Sequence, residues 1–183
     1  MAGMLLRDGI ISPDDVEIVE YGLENLGSSM LGMLITLVIG CCFDFLSGSF
    51  LLWLLIFPLR KNAGGFHAKT KVRCLLFSSA ILLVSIICFV QLGCSELVYS
   101  LIFFLSFFVI FVMAPVENDN KLLDQTEYRI YRKRTRLVLL LEGTLFMLAL
   151  FLGWKELTVV LTIVFFIVGI SLLAGKVKRQ LQV

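Results

Sequence analysis

CLLFSSAILLVSIICFVQLGCSELVYSLIFFLSFFVIFVMA, residues 74–114, carries a single charge, Glu96. The hydrocarbon core of a bilayer is about 30 Å thick and is crossed by about 20 helical residues. The stretch is therefore too long for one span and suits a hairpin of two. Its turn is legible, because Gly93-Cys94-Ser95-Glu96 sets a helix-ending glycine beside a helix-starting serine. Two other blocks share this build. Between Leu26 and Leu59 the one charge is Asp44, and Asp44 to Ser49 is rich in Gly and Ser. The block from Leu137 to Gly175 is interrupted near its middle by Gly153-Trp154-Lys155-Glu156, where Trp154 suits the headgroup region. The expected fold class is an all-α integral membrane protein with six transmembrane helices in three hairpins. Composition agrees: 59% of the 183 residues are hydrophobic, 16% are charged and the mean hydropathy is +0.97. A soluble domain of this length cannot bury so much apolar surface.

Outside these blocks the charges segregate. Arg7, the five cations in 60–73, Lys121, the five in 129–136 and the three in 176–179 all fall on one side of the expected bundle, leaving Lys155 opposite. The positive-inside rule makes that side cytoplasmic, with both termini inside. Residues 1–25 differ in kind. Ser12-Pro13-Asp14-Asp15 reads as an N-cap, a proline at the first helical position and acids in the first turn. Val16, Val19, Leu23 and Leu26 recur at helical spacing, with Glu17, Glu20 and Glu24 on another face. An amphipathic interfacial helix leading into the first span is expected, its acids facing basic loops of this chain or of a second copy, or simply forming a solvated face. No cleavable secretory signal is expected. The chain reads as a single membrane domain over 1–183: residues 1–25 as this helix, 26–175 as the six-span bundle and 176–183 as a basic cytoplasmic tail.

The second span poses a geometric problem. Ser49 to Leu59 gives roughly 16 Å of helix against about 30 Å of hydrocarbon. Pro58 and the pair Gly64-Gly65 favour a broken, non-helical continuation into the membrane, which protein or a wet cavity would have to satisfy.

That continuation holds the chemistry. Arg60 to Cys74 contains the chain's one histidine, His67, a cysteine seven positions on, a Gly-Gly pair and the cations Arg60, Lys61, Lys69, Lys71 and Arg73. Nucleophilic acyl transfer needs a thiolate to attack and a base to make it. On one unbroken helix, residues seven apart stand about 10.5 Å apart along the axis, too far for a hydrogen bond. The link must bend, with Gly64 and Gly65 giving the backbone freedom just before His67. Cys74 would fall in the first turn of the third span, where the helix N-terminus, Lys71 and Arg73 favour a thiolate and free amides suit an oxyanion. Plainer readings stand beside this one: a histidine touching lipid headgroups and a cysteine serving as a small apolar filler. No ligand set for a metal is present. Cys41, Cys42, Cys88 and Cys94, in or at the outer ends of spans, read as packing residues.

Glu142 is the sole acid inside the fifth span, near its cytoplasmic end, and is a candidate to orient His67 or pair with an arginine. Asn62 and Ser78 are weaker candidates for that role. Arg129, Arg132, Lys133, Arg134 and Arg136 carry five positive charges in eight residues, suited to lipid headgroups or to an acidic peptide, as are Lys69, Lys71 and Arg73.

Arg60, Gly64-Gly65-Phe66-His67-Ala68 and Cys74, at these spacings, resemble the signature of the accessory gene regulator B (AgrB) family, bacterial membrane cysteine endopeptidases that process quorum-sensing propeptides. Ala114-Pro115-Val116-Glu117-Asn118-Asp119-Asn120-Lys121-Leu122 is similar to that family's second recurring stretch, with Leu122 where a proline is usual. The resemblance covers nearly the whole chain. It implies His67 as general base and Cys74 as nucleophile, with Arg60 first among the cations for a part at the site. It further implies an AgrD-like propeptide substrate with an acidic C-terminal tail, an acyl-enzyme thioester and closure of a thiolactone by the peptide's own cysteine. A multi-pass protein of the bacterial cell membrane with a cytoplasmic active site is expected, with lipids and a second copy of itself as partners. No cofactor, metal or nucleic acid is expected. A small-peptide exporter or permease would instead need polar residues through several spans, and a lipid-headgroup-binding protein would leave His67 and Cys74 without a task.

Overall fold

In the computed structural model, residues 12, 15–66, 71–116 and 124–181 are described, and they form six α-helices. By internal contacts the chain divides into a unit up to Ile35 and a unit from Thr36 onward.

The first helix, α1 (Val16–Cys42), is continuous over 27 residues. The expected interfacial helix and first span are thus one rod: nothing between Leu23 and Ile35 breaks the backbone, since Gly22, Gly27 and Gly32 remain helical. Residues 1–11, Pro13 and Asp14 of the expected amphipathic segment lie outside the described residues. Glu17, Glu20 and Glu24 are exposed, Val16, Val19 and Leu23 are less so, and Leu26, expected on the same apolar face, is exposed.

Helix α2 (Leu46–Ala63) corrects the expected geometry of the second span. It begins three residues earlier than the sequence suggests and runs unbroken past Pro58 to Ala63. Proline removes one backbone donor from the ladder, and here the chain simply continues for another turn. Its 18 residues make a rod of about 27 Å, close to a bilayer's hydrocarbon thickness. The expected break lies after Ala63 instead, at Gly64. At the other end, Asp44 with φ 52° makes the turn from α1. A Cβ on Gly40 would overlap Ser49, so glycine lets the two helices meet there.

Helix α3 (Lys71–Ile86) ends in a wider π-type turn, Ile87–Gln91. Helix α4 (Glu96–Met113) starts as expected with Ser95 as N-cap, its side chain accepting the Val98 N–H. Tyr99 fastens this turn by donating to Phe89 O at 2.8 Å while accepting the Cys94 N–H at 2.9 Å. Helix α5 (Gln125–Leu152) starts in a capping box between Asp124 and Glu127 and stops at Gly153 in the left-handed region, as the sequence indicates. Helix α6 (Lys155–Leu181) follows.

Five of these helices are long and apolar enough to cross a membrane, α2 being the exception because its last turns carry Arg60, Lys61 and Asn62. Within the unit from Thr36, α6 is the centre. Its apolar window is 67% buried, against 28% or less for the other four. A helix hydrophobic all round is one wrapped by others, and α2, α3, α4 and α5 all pack on α6. Phe165 of α6 meets Phe103 of α4 with ring centroids 4.3 Å apart, and Phe103 stacks on Phe146 of α5 at 3.6 Å. Gly143 and Gly169 bring α5 and α6 against Phe107 and Ser106 of α4. Cys41, Cys42, Cys88 and Cys94 are exposed rather than packed inside, because each falls on the outward side of its helix or in a turn.

Lipid is as apolar as these side chains, so inside a membrane packing rather than water exclusion holds such helices together. Phe146→Ala removes a fully buried ring. At about 24 cal/mol per Å³, a hole of roughly 100 Å³ costs about 2 kcal/mol. Phe151→Ala trims a ring that is 88% exposed. Thermal unfolding in detergent is expected to show a clear loss for Phe146→Ala and wild-type behaviour for Phe151→Ala.

Candidate active site

The C-terminal end of α2 places Arg60 one turn before the helix stops. Gly64 (φ 73°) caps it, its N–H donating to Arg60 O at 3.1 Å. The chain then leaves in extended form and is gripped from two sides. On one side Gly64 pairs with Val116 in an isolated parallel bridge, and the Val116 N–H donates to Ala63 O at 3.0 Å. On the other, the Phe66 N–H donates to Ser171 O of α6 at 2.8 Å and reaches Ser171 Oγ at 3.2 Å.

This grip explains both glycines, in a way the sequence did not suggest. Their φ angles of 73° and 124° belong to the region that disfavours side chains. A Cβ on Gly64 would lie 2.2 Å from Val116 O, and one on Gly65 would lie 2.7 Å from Ser171 Oγ. A third glycine, Gly175, faces them from α6, where a Cβ would come within 3.0 Å of the Gly65 carbonyl carbon and of Phe66 N. The pair therefore serves close approach of three backbone segments, and the expected loose bend is a tightly packed crossing.

Arg60 is held across this crossing. Its Nη1 donates to Ser171 Oγ at 3.0 Å and its Nη2 to Phe66 O at 3.2 Å. The guanidinium is partly buried, and Cys74 on α3 lies within its electrostatic reach. Cys74 itself stands in the first turn of α3, as expected, and is partly buried. Phe66 closes the space between, its ring 5.4 Å from that of Phe77 on α3 and beneath Lys178 Nζ at 5.9 Å.

His67 and Lys69 lie outside the described residues. Lys71 opens α3, and Arg73 is exposed beside Cys74. Asn62 and Ser78 are occupied locally: Asn62 Nδ2 donates to Pro58 O at 2.7 Å, and Ser78 Oγ to Cys74 O at 2.9 Å. Glu142 is buried in α5, with its Oε2 lacking a hydrogen-bond partner among the described residues. Arg129, Arg132, Lys133 and Arg134 are exposed on the first turns of α5, whereas Arg136 turns onto the Phe111 ring at 4.7 Å. Ser171 and Gly175, absent from the sequence reading, carry a recognisable signal: small residues four apart on one helix mark close backbone approach. Among the described residues, no group of three or more His, Cys, Asp or Glu side chains is arranged to hold a metal.

A helical membrane protein that fixes a partly buried arginine at a glycine-lined crossing, with a cysteine in the first turn of the next helix, is the class these features define. The chain belongs to the accessory gene regulator B family, whose model matches residues 1–174. It is 26% identical over 152 residues to AgrB-like protein 2 of Clostridium perfringens (strain 13 / Type A), covering 79% of this chain and 67% of that protein. No solved structure matches. Family membership ties the chain to the processing of quorum-sensing peptides.

Gly93 also has positive φ (68°) but nothing near its missing Cβ. Gly93→Ala should therefore cost only the left-handed penalty, about 1–2 kcal/mol. Gly64→Ala adds overlap with the Val116 carbonyl, and its thermal unfolding is expected at a lower temperature than that of Gly93→Ala. Equal losses would mean the crossing at Gly64 is not tight.

Proposed function

We propose that this chain is a cysteine endopeptidase of the cell membrane that cleaves an AgrD-like propeptide and closes it into a thiolactone. The observation that carries this is the Arg60 guanidinium, fixed by two hydrogen bonds and brought to Cys74 from a different helix. Further support comes from the second recurring stretch of the family, whose Val116 lies hydrogen-bonded alongside the first.

In this mechanism His67 takes the proton of the Cys74 thiol, and the thiolate adds to the scissile carbonyl. Arg60 faces the negative charge of the sulfur and of the oxyanion that forms next to it. Collapse breaks the C–N bond, the leaving amine takes the proton from His67 and the acidic tail departs. The acyl group remains on Cys74 as a thioester. A thiol of the bound peptide, deprotonated in turn by His67, then attacks that carbonyl, so that one thioester is exchanged for another and Cys74 is released. Such an exchange is close to thermoneutral, and its yield depends on proximity and on keeping water out. Arg60, held by two hydrogen bonds, and Glu142, buried on α5 with its Oε2 lacking a hydrogen-bond partner among the described residues, are the candidates to orient the site.

The proposal includes six spans, with α2 as a full one, and the termini and site on the cytoplasmic side, where the basic residues gather. Exposed Arg129, Arg132, Lys133 and Arg134 would receive the acidic tail of the propeptide. Glu17, Glu20 and Glu24, exposed on α1, offer a face to a second copy.

Co-expression with the propeptide tests the assignment. Cys74→Ser and His67→Ala are expected to reduce cleavage by about a thousandfold or more, and Arg60→Lys by about a hundredfold, at unchanged protein level. Cleavage at the wild-type rate by the first two variants sinks it.

A further inference from the structure

One side chain touches two of the segments that meet at the crossing without belonging to either sequence motif. Ser171 lies on α6, 111 positions from Arg60 in the chain, and is buried. Its Oγ accepts from Arg60 Nη1 at 3.0 Å and from the Phe66 N–H at 3.2 Å, and its backbone carbonyl accepts from the same N–H at 2.8 Å. Arg60 Nη2 closes the ring by donating to Phe66 O. Three hydrogen bonds at Ser171 and a fourth between Arg60 and Phe66 thus tie three elements: the last turn of α2, the segment that leads into residue 67, and the central helix.

An arginine has several rotatable bonds and loses much rotamer freedom when fixed. A guanidinium whose two amino groups are both engaged has already met most of that cost, and its remaining N–H groups keep a constant direction. Ser171 is short enough to admit Gly65, whose Cβ would otherwise fall 2.7 Å from its Oγ, and Gly175 one turn on leaves room for Phe66 N. A larger side chain at 171 would displace the segment, and an alanine would free the arginine.

We propose that Ser171 is the positioning residue of the site: it fixes Arg60 across the crossing and anchors Phe66, the residue from which the chain enters His67. This rests on the peptidase assignment only for its catalytic consequence. The effect on Cys74, which the Arg60 charge reaches from α2, is read without any substrate, from the rate at which the thiol is alkylated.

Two readouts separate the possibilities. In the full chain carrying Cys41→Ser, Cys42→Ser, Cys88→Ser and Cys94→Ser, so that Cys74 is the one thiol, the rate of alkylation by iodoacetamide is measured in membranes. Around Cys74 the charges to be compared are Arg60 from α2, Arg73 on its own helix and Lys178 from α6 above Phe66. Ser171→Ala is expected to slow alkylation about tenfold, and Arg60→Lys by a similar factor. The double variant should be no slower than Arg60→Lys alone, since Ser171 acts through Arg60. Ser171→Gly, which also removes the hydroxyl and adds no thiol, should match Ser171→Ala. That variant keeps the inference testable if the alanine fails to accumulate. In propeptide cleavage, Ser171→Ala should lower kcat about tenfold per alkylatable site with KM unchanged. Wild-type alkylation in Ser171→Ala or Ser171→Gly, or additive losses in the double variant, overturns the inference. If the wild type does not cleave the propeptide, the peptidase assignment fails while the alkylation series still decides the role of Ser171.

Discussion

The contact on which the rest of this protein depends is the crossing of backbones at Gly64-Gly65-Phe66, where an extended segment lies against Val116 on one side and Ser171 and Gly175 on the other. Only glycine fits at the closest points, because a Cβ at either of the first two positions would enter a neighbour. Backbone amides taken out of water need partners, and here the Val116 and Phe66 N–H groups find carbonyls on other segments. A non-helical stretch is thereby held at the end of a helix bundle, which open backbone in lipid would not survive. The site is built on this strut.

Arg60 is the charge that the strut organises. A partly buried guanidinium needs hydrogen-bond acceptors, and it has a serine hydroxyl and a carbonyl, with Cys74 within its electrostatic reach. In the proposed acyl transfer this charge would face the nucleophile and the oxyanion. Phe66 and Phe77 make the adjoining wall apolar, a setting that strengthens electrostatic interactions and would limit hydrolysis of the proposed thioester. Fold and chemistry meet at one residue pair drawn from α2 and α3.

Much of this was written in the sequence. The charge-poor blocks announced helices, and Ser95, Gly153 and Asp44 marked turns where the structure has them. Gly64, Gly65 and Cys74 stood out by position and Arg60 by resemblance to a family signature, and Cys74 stands in the first turn of its helix as its position after the loop implied. What eluded sequence reasoning was long-range. Pro58 looked like a helix breaker, yet the helix continues around it, since tertiary packing overrides a local penalty of a few kcal/mol. The glycine pair looked like a flexible joint because its neighbours across the crossing, Val116 and Ser171, are distant in the chain. The outer cysteines looked buried because apolar runs do not say which side of a helix faces inward until the other helices are placed. Glu142 stood out as an acid in a span, and it is buried in α5.

The central claim is that Cys74 carries the acyl group of the substrate beside Arg60. The most direct measurement is intact-mass and peptide mass spectrometry of the full chain after exposure to a propeptide whose own cyclising cysteine is replaced by alanine, so that the thioester cannot be passed on. The account predicts an adduct on the peptide containing Cys74, equal in mass to the acyl part of the substrate and removed by hydroxylamine. It also predicts much less of that adduct in Arg60→Lys. Cleavage that proceeds without any adduct on Cys74, or an adduct on one of the other four cysteines, would contradict it.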